Sequence, residues 1–70
     1  MKVKLRAKTV RRHLAKKNLS QNWLAIRLDT TSGYMSQLMR GIRNPSPEMR
    51  QKIQEILPGY SFDELFIVKG

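Results

Sequence analysis

Cations are the chemically capable residues of this 70-residue chain, and they are placed unevenly. Eight of the 14 (Lys2, Lys4, Arg6, Lys8, Arg11, Arg12, Lys16 and Lys17) precede residue 18, whereas all five acids lie at Asp29 or beyond. The formal net charge is +9, and a surplus of that size on so small a body attracts polyanions, of which nucleic acid and anionic membrane surface are the common ones. A basic amino-terminal arm can follow a phosphate backbone or enter a minor groove, adding salt-sensitive affinity. Its candidate contacts are Lys2, Lys4 and Arg6. Membrane is the weaker partner, because the apolar side of the first helical segment should be consumed by a core. The longest apolar run, Leu65-Phe66-Ile67-Val68, is also far short of the roughly 20 residues that cross a bilayer.

Other chemistry is scarce. With no cysteine and a single histidine there is neither a disulfide framework nor the ligand set of a metal site. His13 reads as an exposed helix residue near the basic face. Asp63 and Glu64 are adjacent at the start of a helical segment, where they complement the helix dipole better than they would form an acid and base pair. No nucleophile has a base partner and no glycine-rich phosphate cradle is present, so the expectation is a non-enzyme without cofactor or metal. A chain of this size buries only about 60% of its unfolded surface, which allows one compact core. Thiol-free packing suits a cytoplasmic protein. The acid-free opening is interrupted by Lys2, Lys4, Arg6 and Lys8, so it reads as mature sequence rather than a targeting segment.

The elements that must position these groups are set by the breakers, Gly33, Gly41, Pro45, Pro47, Pro58 with Gly59, and Gly70, which cut the chain into short helices. Lys2-Val3-Lys4-Leu5-Arg6 alternates charge with apolar side chains, the period of a half-buried strand or an extended arm. Residues 9–17 place Val10 and Leu14 four apart among cations, as in an amphipathic helix, with Asn18 as its stop. Ser20 can cap a second helix of roughly two turns whose Leu24, Ala25 and Leu28 share a face. Asp29-Thr30-Thr31 reads as a tight turn, Asp tolerating the left-handed region and Thr or Ser capping the next helix. A third helix spans residues 32–40 and ends at Gly41. Ser46-Pro47 starts a fourth, with Met49, Ile53, Ile56 and Leu57 as its buried stripe. Ser61-Phe62-Asp63-Glu64 has capping-box spacing and opens a one-turn helix. The fold class expected is all-α, with five short helices.

Gln21 to Leu38 therefore holds two short helices around a three- or four-residue turn, a helix-turn-helix. Ala25 faces the crossing, and Leu24, Leu28, Met35 and Leu38 fill the wedge. Trp23 and Ile26 lie one turn apart, away from the Leu24/Ala25/Leu28 face, and need cover. The candidates are Val3 and Leu5, the tail residues Phe66, Ile67 and Val68, or the same patch on a second subunit. Arm and tail packing together as a short β pairing is the preferred expectation, and a dimer contact its close rival. Residues 1–8 then form a basic arm or short strand, 9–66 the helix-turn-helix domain and 67–70 a tail.

Over residues 19–65 the chain resembles the Cro/C1-type helix-turn-helix family, also called the Xre family, whose fold is lambda-repressor-like. The resemblance rests on Leu19-Ser20-Gln21, Leu24-Ala25, Leu28, Tyr34-Met35-Ser36-Gln37-Leu38, the run from Gly41 to Pro47, and Phe62-Asp63-Glu64-Leu65. Asp29 departs from it, standing where the family usually has a turn glycine.

The resemblance implies a sequence-specific double-stranded DNA-binding transcriptional regulator, bacterial or phage, acting as a repressor in the nucleoid. It puts the third helix in the major groove, with Thr31, Ser32, Gly33, Ser36, Gln37 and Arg40 at base edges. Gln37 suits adenine and Arg40 suits guanine, while Gly33 admits close backbone approach. It places Gln21, Asn22, Arg43 and Asn44 on phosphates, and a homodimer on a two-fold site as the binding species. The alternative is a protein-interaction module, such as the antitoxin of a toxin-antitoxin pair, meeting its partner protein through Trp23 and Ile26 or through Phe66, Ile67 and Val68.

Overall fold

The computed structural model describes every residue from Met1 to Gly70. It is a mostly helical domain of five helices with one short two-stranded antiparallel sheet. Strand β1 (Lys2–Leu5) leads into α1 (Ala7–Lys17), α2 (Gln21–Arg27), α3 (Ser32–Met39), α4 (Pro47–Ile56) and α5 (Phe62–Leu65), and β2 (Phe66–Lys69) returns beside β1. No helix is long and apolar enough to cross a membrane.

Helix starts are governed by local chemistry. Ser20, Thr31, Ser46 and Ser61 each accept a hydrogen bond from a backbone N–H three residues on, satisfying one of the donors that a first turn leaves unpaired. At Ser61 the bond is reciprocal, since the Glu64 carboxylate accepts from the Ser61 N–H at 2.9 Å. Helix α1 begins at Ala7 rather than at residue 9, because the chain leaves β1 at Leu5 and only Arg6 intervenes, its N–H donated to the Leu65 carbonyl at 2.7 Å.

The ends of α1, α2 and α3 share one device. Asn18 (φ 58°), Asp29 (φ 56°) and Gly41 (φ 76°) occupy the left-handed region, and each reverses the chain so that two successive N–H groups return to the last turn. Asn18 and Leu19 donate to Ala15 and Leu14, Asp29 and Thr30 to Ile26 and Ala25, and Gly41 and Ile42 to Leu38 and Gln37. This is the Schellman arrangement. Asp29 thus takes the backbone role expected of it, with the steric cost a β-carbon brings.

The core is one cluster. Leu24, Ala25, Leu28, Met35 and Leu38 are buried where α2 meets α3, and Leu5, Val10, Leu14, Met39, Ile53, Leu57, Leu65 and Phe66 complete it. The terminal strands close the domain, pairing Leu5 with Phe66 and Val3 with Val68 on one face and Lys4 with Ile67 on the other. This is the short β pairing of the termini expected beside the helices.

Two expectations about packing change. The sheet does not cover Ile26, which remains 68% exposed; β1 pairs with β2 and meets α3 instead. Trp23 is half-buried on the core edge, with the Arg27 guanidinium 5.7 Å from its ring centre. His13 is not simply exposed, because its Nδ1 lies 3.0 Å from the Tyr60 hydroxyl and ties α1 to the turn after α4.

The left-handed positions predict opposite signs for two substitutions. Asp29→Gly should raise stability by about 0.5–1 kcal/mol through relief of backbone strain. Gly41→Ala should lower it by about 1 kcal/mol, a purely backbone effect because a β-carbon there meets nothing within 4 Å. Urea denaturation of both variants, read by helical circular dichroism, checks the pair.

Candidate nucleic-acid interface

At about 100° per residue, Ser32, Ser36, Arg40, Gly33 and Gln37 fall within an arc of about 140° on α3. Met35, Leu38 and Met39 occupy the opposite arc and are buried. Core packing therefore dictates which face of α3 is free. Ser32, Gly33 and Arg40 are exposed, and Ser36 and Gln37 are half-buried. Thr31 supplies the cap, accepting from the Tyr34 N–H at 3.0 Å through Oγ1, so Ser32 does not serve as the cap and keeps its hydroxyl free of that role. The site of Gly33 is open: a β-carbon would approach only Thr31 Oγ1, at 4.0 Å.

The loop after α3 is bound to this face. The Gln37 backbone carbonyl accepts from the N–H groups of Ile42 and Arg43 at 3.0 and 3.3 Å. Arg43 Nε also donates to Gln37 Oε1 at 2.8 Å, and its guanidinium lies 5.2 Å from the centre of the Tyr34 ring, within cation–π range. Lys4 joins from β1, donating through Nζ to the Gly41 carbonyl at 2.9 Å and to Asn44 Oδ1 at 3.2 Å. Two side-chain pairs, Gln37 with Arg43 and Lys4 with Asn44, the second 40 positions apart in sequence, thereby fix the 41–44 loop against α3 and β1.

Cations also complete the C-terminal end of α3. The helix has no basic residue in its own last turn, yet Lys4 reaches the Gly41 carbonyl and Arg11 reaches the Met39 carbonyl at 3.4 Å. Positive charge at a helix C-terminus opposes the dipole and contributes about 0.3–1 kcal/mol at an exposed site.

The remaining candidates are dispersed. Gln21 and Asn22 are exposed on the first turn of α2, the helix packed against α3. Lys2 is exposed on the sheet, with Lys69 directly across from it. Arg6 is turned to α5 and the start of β2, its Nε donating to the carbonyls of Asp63 and Phe66 at 2.8 and 3.2 Å. The amino terminus therefore does not form a free basic arm: Lys4 and Arg6 are engaged with the body of the domain. Among the residues offered for a protein partner, Phe66 is 1% exposed and belongs to the core, whereas Val68 is 46% exposed and Ile26 remains open.

Tyr34 and Arg11 take part in the site although sequence reasoning gave neither a site role, naming Tyr34 only within the resembling run and Arg11 only among the cations. Tyr34 lies three residues before Gln37, a spacing that places helical side chains side by side. Arg11 carried no local signal, since its partner is 28 residues away.

No pocket opens into the domain. No protein family, curated protein or solved structure matches this chain.

Removal of the Lys4 ammonium as Lys4→Met should loosen the 41–44 loop at a cost of about 1 kcal/mol, the scale of one hydrogen-bonded contact. The expected signature is faster amide hydrogen exchange at Ile42 and Arg43, with Leu24 and Leu38 amides unchanged.

Proposed function

We propose that this protein is a sequence-specific double-stranded DNA-binding transcriptional regulator of the helix-turn-helix class, with α3 as the helix that enters the major groove. The observation that carries the reading is that Arg43 is fixed on Gln37 at the free face of α3, while Lys4 holds Gly41 and Asn44 of the same loop at the C-terminal end of the helix. Base-reading and phosphate-binding groups need a common, rigid mounting, because phosphate contacts set the register in which base edges are read. Thr31, Ser32, Ser36, Gln37 and Arg40 then face base edges. Gln21 and Asn22 at the start of α2, with Asn44 and the terminal nitrogens of Arg43, face phosphates.

Gly33 supports the same reading. Glycine in a helix costs about 0.5–1 kcal/mol relative to alanine, and nothing inside the domain requires its small size. A reason outside the domain, the close approach of a DNA backbone or base edge, explains it. One domain of this size covers about 600–1,000 Å² of a duplex, so the binding species is two copies on a two-fold symmetric site. Occupation of such a site excludes other proteins from it, the simplest route to repression, and needs no catalysis or cofactor.

One observation favours a second reading. Ile26, at 68% exposure, lies one turn from half-buried Trp23, an apolar patch of the kind a partner protein covers. A protein-interaction module such as an antitoxin would use it, and could still bind DNA through α3.

Selection of the protein against a randomised duplex pool near physiological salt tests the main reading, since non-specific phosphate attraction is weakened there. Enrichment of an inverted repeat is expected, and Gln37→Ala and Arg40→Ala should each cost about 1–3 kcal/mol on that sequence with no loss of helical signal. Retention of full affinity by both would remove α3 from the interface. Gly33→Ala should separate folding from binding, raising the melting temperature while weakening affinity for the selected duplex.

A further inference from the structure

Gln37 is the base reader that the resemblance directs to adenine, and the Arg43 contact changes what it can offer. A carboxamide reads adenine by using both ends at once, its oxygen accepting from the N6 amino group and its nitrogen donating to N7. In this protein one of the oxygen's two acceptor lone pairs is engaged, accepting from Arg43 Nε at 2.8 Å, and the guanidinium charge stands beside the other. A guanidinium has donors only, so it must face the oxygen rather than the amide nitrogen. Arg43 is held there from three sides, by its backbone N–H on the Gln37 carbonyl, by Nε on Oε1 and by the Tyr34 ring.

We infer that Arg43 is a positioning residue that sets Gln37 to read guanine rather than adenine, an inference that rests on α3 entering the major groove. The Nε2 amino group is the end Gln37 presents unopposed, because a fixed positive charge stands beside the lone pair its oxygen keeps. The adenine N6 amino group would approach that oxygen as a donor, against the Arg43 donor and its charge. Guanine offers acceptors at both N7 and O6 and meets the Gln37 amino group and the neighbouring charge with no opposed donors. The free face of α3 therefore presents donors at Gln37 and at Arg40, and the favoured duplex carries guanine where these two side chains reach.

The test uses the full chain and synthetic duplexes. Wild-type protein, Gln37→Ala, Arg43→Met and Arg43→Ala are each selected against a randomised pool, and affinities are then measured on the selected site with all four base pairs at the position where Gln37→Ala loses discrimination. Wild type is expected to prefer guanine there by at least about fivefold, the lower end for a good base contact. Both Arg43 variants, having removed the donor and charge beside Oε1, should shift the preference to adenine. Arg43 is exposed, and an unchanged melting temperature in either variant shows that the shift is not a loss of fold. Adenine preferred by wild type, or guanine retained in both Arg43 variants, overturns the inference and leaves the DNA-binding reading intact. Absence of any enriched sequence for wild type overturns that reading and this inference with it.

Discussion

Three backbone positions with positive φ, at Asn18, Asp29 and Gly41, control how the rest of the molecule is arranged. Helices of seven to eleven residues such as α1, α2 and α3 are too short to persist alone in water, so each depends on presenting its apolar face to a shared core. A left-handed residue at the end of a helix satisfies the last carbonyls and reverses the chain within two residues. That reversal brings Leu24 and Leu28 against Met35 and Leu38. It also brings Arg43 back onto Gln37, so the turn that ends α3 builds this pair as well as the fold.

The cations of the amino-terminal half divide into two uses. Lys4, Arg6 and Arg11 donate to backbone carbonyls of distant elements, where each offsets oxygens that helix or strand ends leave unpaired. They act as ties as much as sources of field. Lys2 stays exposed on the sheet opposite Lys69, a like-charge pair that is mildly unfavourable across strands and would be relieved by a bound polyanion. A surplus of +9 thus overstates the charge left free at the surface, since part of it is engaged in these internal ties.

On the proposed reading, rigid attachment of side chains to the α3 face matters because base readout depends on orientation. A long arginine on a loop loses rotamer freedom on binding, a cost of up to about 2 kcal/mol for such a side chain. In this protein Tyr34, Gln37 and the Gln37 carbonyl hold Arg43 before any partner arrives, so much of that loss is incurred in folding. Ile42, 63% exposed in the same loop, adds an apolar surface to an otherwise polar face.

Helix positions, caps and the buried stripe were legible in the amino-acid sequence because their causes are local. Ser20, Ser46 and Ser61 cap the helices that begin just after them, Asn18, Asp29 and Gly41 end the helices before them, and Leu24, Leu28, Met35 and Leu38 have helical spacing. The chemistry of the α3 face was legible for the same reason, as the complement of that stripe. Only the tertiary structure decided that Phe66 is core while Ile26 is not, that His13 meets Tyr60, and that Lys4 and Arg6 are ties rather than a free arm. Each of these depends on groups far apart in the chain or on which of several apolar residues the closing strand happens to cover, and short-range spacing carries no information about either. The engagement of Gln37 with Arg43 lies between the two cases: six residues separate them, but their contact exists only because Gly41 adopts a conformation that turns the chain back, and that turn sets side-chain direction in three dimensions.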